Sequence, residues 1–203
     1  MKMVVKVFLT YIFLLLTPAF TEAQKNYNVD SVRSEIREVL KSATRDSSNK
    51  SCEDLLTAFY QCFESDQGQA NPEMLNAMVN LFSYKDDLSL PNRQIATLLY
   101  NYINSVSESE IALEWIKALK TEYASVYKKE HPLILLYEGE SLINAGKIPA
   151  AHTHFLHFHK EFPNSVTALC YVYQTETDQN LVQSWLSILK KEHPNHWIVK
   201  KYK

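Results

Sequence analysis

The sequence predicts an all-α fold of antiparallel helix pairs stacked as a short solenoid, and three observations predict it. The first is a signature recurring every 31 residues: Lys129-Glu130-His131-Pro132, Lys160-Glu161-Phe162-Pro163 and Lys191-Glu192-His193-Pro194. A constant period of this size marks one supersecondary unit stacked on copies of itself. Its proline marks a helix boundary, since proline cannot continue the hydrogen-bond ladder but can open the next helix. The second observation is that apolar residues recur at helical spacing along most of the chain. The third is that no stretch alternates apolar and polar residues for long enough to read as a sheet.

Residues 1–23 read as a secretory leader: a basic start at Lys2 and Lys6, an apolar run from Val7 to Leu16, and small residues up to Ala23, where cleavage is expected. The competing reading is an uncleaved anchor, but a spanning helix wants about 20 apolar residues and Pro18 interrupts this run. The expected address is therefore secreted or periplasmic, with no stable membrane insertion after cleavage. The remaining 180 residues carry a formal net charge of −3, enough chain for one short solenoid. No block of lysines or arginines supplies the electrostatic footprint of a nucleic-acid binder.

Val29, Val32, Ile36, Val39 and Leu40 predict the first helix, with Asp30 or Ser31 as its cap. The polar run Thr44–Lys50 is a loop. Ser51-Cys52-Glu53-Asp54 resembles a capping box and opens a helix with Leu55, Leu56, Phe59, Tyr60 and Phe63 on its apolar face. Asn71-Pro72 caps and starts the next helix, whose apolar positions are Met74, Leu75, Met78, Val79, Leu81 and Phe82. After a turn at 85–90, residues 91–106 form a helix through Ile95, Leu98, Leu99, Tyr102 and Ile103, and Ser107 or Ser109 caps a long helix to about Lys129. About ten helices are expected in all. Cys52 and Cys62 share one helix, about 15 Å apart, too far for a disulfide.

The unit from Pro132 to Pro163 reads Leu135-x3-Gly139-x2-Leu142, then Gly146-Lys147, then Ala151-x3-Phe155, then Phe162-Pro163-Asn164. This resembles a tetratricopeptide repeat, in which a small residue in the first helix admits the second, a glycine turn joins them, and proline closes the unit. The 31-residue register maps Gly139 to Cys170, Ala151 to Val182, Phe155 to Leu186 and Phe158 to Leu189. Cys170 is thereby a buried small residue rather than a reactive thiol. The chain divides into a leader, N-terminal helical pairs over 24–131 whose relation to the repeats is open, and repeats with a C-terminal capping helix at Trp197 and Ile198 over 132–203.

The resemblance implies a non-catalytic scaffold that binds a protein or peptide in a groove lined by the first helix of each pair. Carried to this sequence, that face holds Tyr137, Glu140, Ile143 and Asn144, then Ala168, Tyr171, Gln174 and Thr175. Leu136 and Glu140 stand where the family's clamp for a terminal carboxylate wants lysine and asparagine, so recognition of a free carboxyl terminus is not implied. Twelve tyrosines and three tryptophans suit an interaction surface.

The chemical alternative is a metal site. His152, His154, His157 and His159 crowd one helix, and His154, His157 and Glu161 share a stripe that could hold zinc. The structural account of the same residues is a polar helix face opposite Ala151, Phe155, Phe158 and Phe162. With Gly68, Gly139 and Gly146 as the only glycines, the chain has no phosphate-cradling loop, dinucleotide fingerprint or Gly-x-Ser-x-Gly elbow, and no cofactor is expected. Self-assembly through the end helices is a third reading.

Overall fold

The computed structural model describes residues 28–41 and 43–202. The leader and its cleavage site lie outside them. Among the described residues there are nine α-helices and no strand: α1 (Val29–Lys41), α2 (Ser51–Glu64), α3 (Pro72–Asp86), α4 (Arg93–Ser105), α5 (Ser109–Tyr127), α6 (Pro132–Asn144), α7 (Ile148–Glu161), α8 (Val166–Thr175) and α9 (Gln179–Glu192), followed by a 3-10 turn at Val199–Lys201. From α2 onward each helix packs on the next, so antiparallel pairs stack as a short α-solenoid. No described helix is long and apolar enough to cross a membrane.

Several boundaries follow local chemistry that the pattern of apolar residues does not resolve. The cap of α1 is Asn28, whose Oδ1 accepts from Ser31 N at 2.8 Å, in place of Asp30 or Ser31. The capping box at Ser51 does not form: Ser51 lies inside α2, and Asn49 Oδ1 takes its amide at 3.1 Å. Glu53 is drawn instead to Lys50 and Lys129. Asn71 caps α3 as expected, accepting from Met74 N at 2.9 Å. Glu108 rather than a serine precedes α5, and that helix ends at Tyr127 because Lys128 turns left-handed, with φ 57°. The C-terminal capping helix is only the 3-10 turn, although Trp197 and Ile198 beside it are buried as expected.

The signature glycines do two different jobs. A Cβ on Gly139 would sit 2.2 Å from Phe155 Cζ, so α7 can pack this closely on α6 only because the side chain is missing. Gly146 has φ +73° and ends α6 in a Schellman turn, with Gly146 N bonded to Ile143 O and Lys147 N to Leu142 O, both at 2.9 Å. Cys170, in the slot corresponding to Gly139, is fully buried, as are Cys52 and Cys62; all three are free thiols.

α2 departs from a simple linear stack. Besides its neighbour α3 it packs against α4, α6 and α8, the first helices of three successive pairs. It meets each at its N-cap. Cys52 Sγ donates to Asn92 O at 3.2 Å, Thr57 Oγ1 lies 3.3 Å from His131 Nε2, and Tyr60 Oη donates to Ser165 Oγ at 2.6 Å. Glu64 closes the crossing by accepting the Val166 and Thr167 amides at the start of α8, where the helix dipole favours a carboxylate. In α2 only Asp54 and Gln61 are exposed. The C-terminal segment locks onto the same helix, His196 Nε2 and Trp197 Nε1 donating to Phe63 O at 2.9 and 2.8 Å.

α3 and α9 sit at the margins. Among the described helices α3 packs mainly on α2 and α4, burying Met74, Ala77 and Leu81. Leu75 and Val79, two of its apolar positions, are 60% and 63% exposed. Their spacing matches a helix, but no neighbour among the described residues covers this face.

Candidate functional site

Because α2 crosses the N-terminal ends of α4, α6 and α8, it divides their shared face into a covered half and an open half. The sequence-chosen residues fall on both sides of that division. Tyr137 lies under α2: its ring meets Phe63 edge-on at 5.7 Å and packs on Tyr102 at 4.9 Å, leaving it 6% exposed. Ala168 and Thr175 are buried as well. Ile143, Tyr171 and Gln174 are half-buried and Asn144 is exposed. The spacing of one helical turn sets Ile143 and Asn144 beside Glu140, and Gln174 beside Tyr171.

Glu140 is the centre of this group. It lies 31 residues before Tyr171, so the two occupy matching positions on adjacent first helices, and the Tyr171 hydroxyl donates to its Oε1. Tyr171 is held in turn by stacking on Phe155, with centroids 4.6 Å apart. Tyr102 comes in from α4, donating to Tyr137 O at 3.1 Å and receiving Ser141 Oγ at 3.3 Å. Burial pushes the Glu140 carboxyl up to about 7, a rise that the Tyr171 hydrogen bond opposes. Burial also raises the phenols of Tyr102, Tyr137 and Tyr171, and the Glu140 charge adds to each rise. At the outer edge Gln174 Nε2 donates to Tyr202 Oη at 2.7 Å, tying the chain end to α8.

The histidines of α7 diverge. His154 Nε2 donates to Leu135 O at 2.7 Å, while its Nδ1 lies 3.7 Å from Glu138. His157 Nε2 lies 2.9 Å from Glu130. His152 Nδ1 turns the other way, 3.1 Å from Thr175 Oγ1, and the His159 ring meets Trp185 at 6.3 Å. Two histidines thus brace α7 against α6 and the segment that leads into it, and two against the following pair. His154, His157 and Glu161 are not drawn together, and no three His, Cys, Asp or Glu residues among those described form a group able to hold a metal ion.

Sequence reasoning missed two contributors: α2, and Tyr102 as the part of the site supplied by α4. α2 left a signal in its composition, since Ser51–Glu64 contains no basic residue and its charges sit near its ends, as suits a helix enclosed on most sides. No family model, curated protein or solved structure matches the chain.

Proposed function

We propose that this chain is an exported, tetratricopeptide-like scaffold that binds a protein or extended peptide on its first-helix face, without catalysis. One observation carries the reading: the half of that face not covered by α2 presents Ile143, Asn144, Tyr171 and Gln174 around a buried carboxylate. Polar and aromatic side chains on rigid, successive helices suit recognition by shape and register. The exported address rests on the order of residues 1–23, and a secreted product beginning at Gln24 is the expected mass-spectrometric result.

The face is tested by photo-crosslinking. A photoreactive residue replaces Asn144 in one protein and Thr153, exposed on α7, in another, and each is irradiated in the exported fraction of its own cells. A discrete adduct from position 144 and none from 153 is expected. Adducts from 153 alone, or from neither, would remove this face as the binding surface.

A further inference from the structure

Resting on that reading, we infer that the open face selects a basic side chain, lysine or arginine, of an extended partner segment, and that Glu140 with its surrounding tyrosines is the subsite receiving it. The proposal starts from an incomplete ion. Glu140 is 8% exposed, and its only hydrogen-bond partner among the described residues is the Tyr171 hydroxyl, on Oε1. Oε2 has no hydrogen-bond partner among the described residues and is not fully enclosed. It therefore keeps a share of the small exposure that the residue retains. No lysine, arginine or histidine among the described residues pairs with it, although other glutamates of the solenoid, including Glu53, Glu114, Glu122, Glu130 and Glu138, each have such a partner.

A desolvated carboxylate with one oxygen unsatisfied is costly to keep ionised. A cation removes that cost, and guanidinium or ammonium groups make the strongest hydrogen bonds to such an oxygen. The charged and titratable groups facing Glu140 are phenols: Tyr102 from α4, Tyr137 from α6 and Tyr171 from α8. Their ring faces are packed on one another, on Phe63 and on Phe155, and none of the three brings a positive charge to the carboxylate that would compete with a ligand cation. Neighbouring Asn144 and Gln174 offer amide groups to the main chain of a bound segment, and Ile143 offers an apolar contact. The chain's net charge of −2 disfavours an acidic partner.

The probe is a library of extended peptides, randomised over about ten positions, panned against the purified protein. Peptides with lysine or arginine at one common position are expected. For a selected peptide, Glu140→Gln should weaken binding at least tenfold, and replacing its basic residue by norleucine should weaken it equally, with no further loss when both changes are combined. Binding to the wild type should tighten from about pH 6 to about pH 8 as the carboxylate ionises, and this slope should vanish in Glu140→Gln. Circular dichroism of the variant checks its fold, and a poorly folded Glu140→Gln leaves the norleucine substitution and the wild-type pH slope to decide.

Peptides that bind this face, shown by loss with Asn144→Trp, but share no basic position or ignore Glu140→Gln would overturn the subsite alone. Peptides that ignore Asn144→Trp, or no enrichment at all, would overturn the face and the subsite with it.

Discussion

The pair α6–α7 and the pair α8–α9 carry the same 31-residue register, yet they bury it to different depths. In α7, Ala151, Phe155 and Phe158 are all fully buried; of their counterparts Val182, Leu186 and Leu189 in α9, only Leu189 is. The difference is one of neighbours rather than composition. α7 is covered by α6 on one side and α8 on the other, whereas among the described helices α9 packs chiefly on α8, with only the Trp185 ring reaching His159 of α7. In a solenoid a residue's burial depends on whether another unit follows, so the same repeat letter is core in one unit and margin in the next.

Substituting the matched aromatic and aliphatic positions should produce the largest contrast. Phe155→Ala removes a fully buried ring that stacks on Tyr171 and fills the space left by Gly139, and should cost about 3–5 kcal/mol. Leu186→Ala, at a half-exposed site, should cost about 1 kcal/mol. Urea denaturation of both proteins measures the difference, and equal losses would mean that α9 is as well covered as α7.

His131, in the first Lys-Glu-His-Pro signature, and Glu140 offer a second contrast, readable in pH. His131 is the N-cap of α6, its Nδ1 accepting from Leu133 N at 3.2 Å, and burial pushes it down to about 3. Its folded-state proton affinity is depressed, so its stabilising contribution is present above about pH 6.5 and is lost as pH falls toward 3. Between pH 7 and pH 5 the loss should be about 2 kcal/mol. His131→Asn, which keeps a capping acceptor, should flatten that part of the stability profile. Glu140 acts in the opposite sense: its raised affinity stabilises the fold below about pH 4.5, an advantage lost as pH rises through about 7. Because it is present in both proteins, subtracting the two profiles isolates His131.

A third comparison sets Gly139 against Cys170. Gly139→Ala gains about 1 kcal/mol of helix propensity, but its new Cβ would lie 2.2 Å from the Phe155 ring. Overpacking of this kind costs about 1–3 kcal/mol, so a net loss on the order of 1 kcal/mol is expected, with the Phe155–Tyr171 stack displaced. Cys170→Ala, at the matched position, should leave that stack in place.

These contrasts also mark what could be read from the residues. The helical class, the glycine roles and the burial of Cys170 follow from local pattern and a constant period, and the structure has all three. The adjacency of Glu140 and Tyr171 was legible because a repeat places equivalent positions on neighbouring helices. The crossing of α2 over three N-caps was not legible, since it joins residues such as Glu64 and Val166 that lie 102 positions apart and no period relates them. The exposure of Leu75 and Val79 escaped for a similar reason: an apolar face shows that a helix could pack, but whether a neighbour reaches it depends on the whole chain.

The smallest contrast lies in the turns. Gly146 has no heavy atom within 4 Å of where its Cβ would be, so packing alone makes Gly146→Ala harmless. Its φ of +73° argues otherwise, because an L-residue with a Cβ loses about 1–2 kcal/mol in the left-handed region. The matching turn between α8 and α9 avoids that requirement: Glu176 Oε1 accepts the Thr177 and Asp178 amides at 2.8 and 3.0 Å, and Asp178 Oδ1 caps α9 through Asn180 N at 2.8 Å. Side chains there satisfy the amides that backbone geometry satisfies at Gly146. Gly146→Ala should therefore lower stability by about 1 kcal/mol, and Gly146→Asn by less, since asparagine tolerates this conformation. Thr177→Ala should change little. Equal stability of Gly146→Ala and wild type in thermal melts would show that the α6–α7 turn can relax out of its left-handed form, and that the glycine of the repeat signature matters here only at position 139.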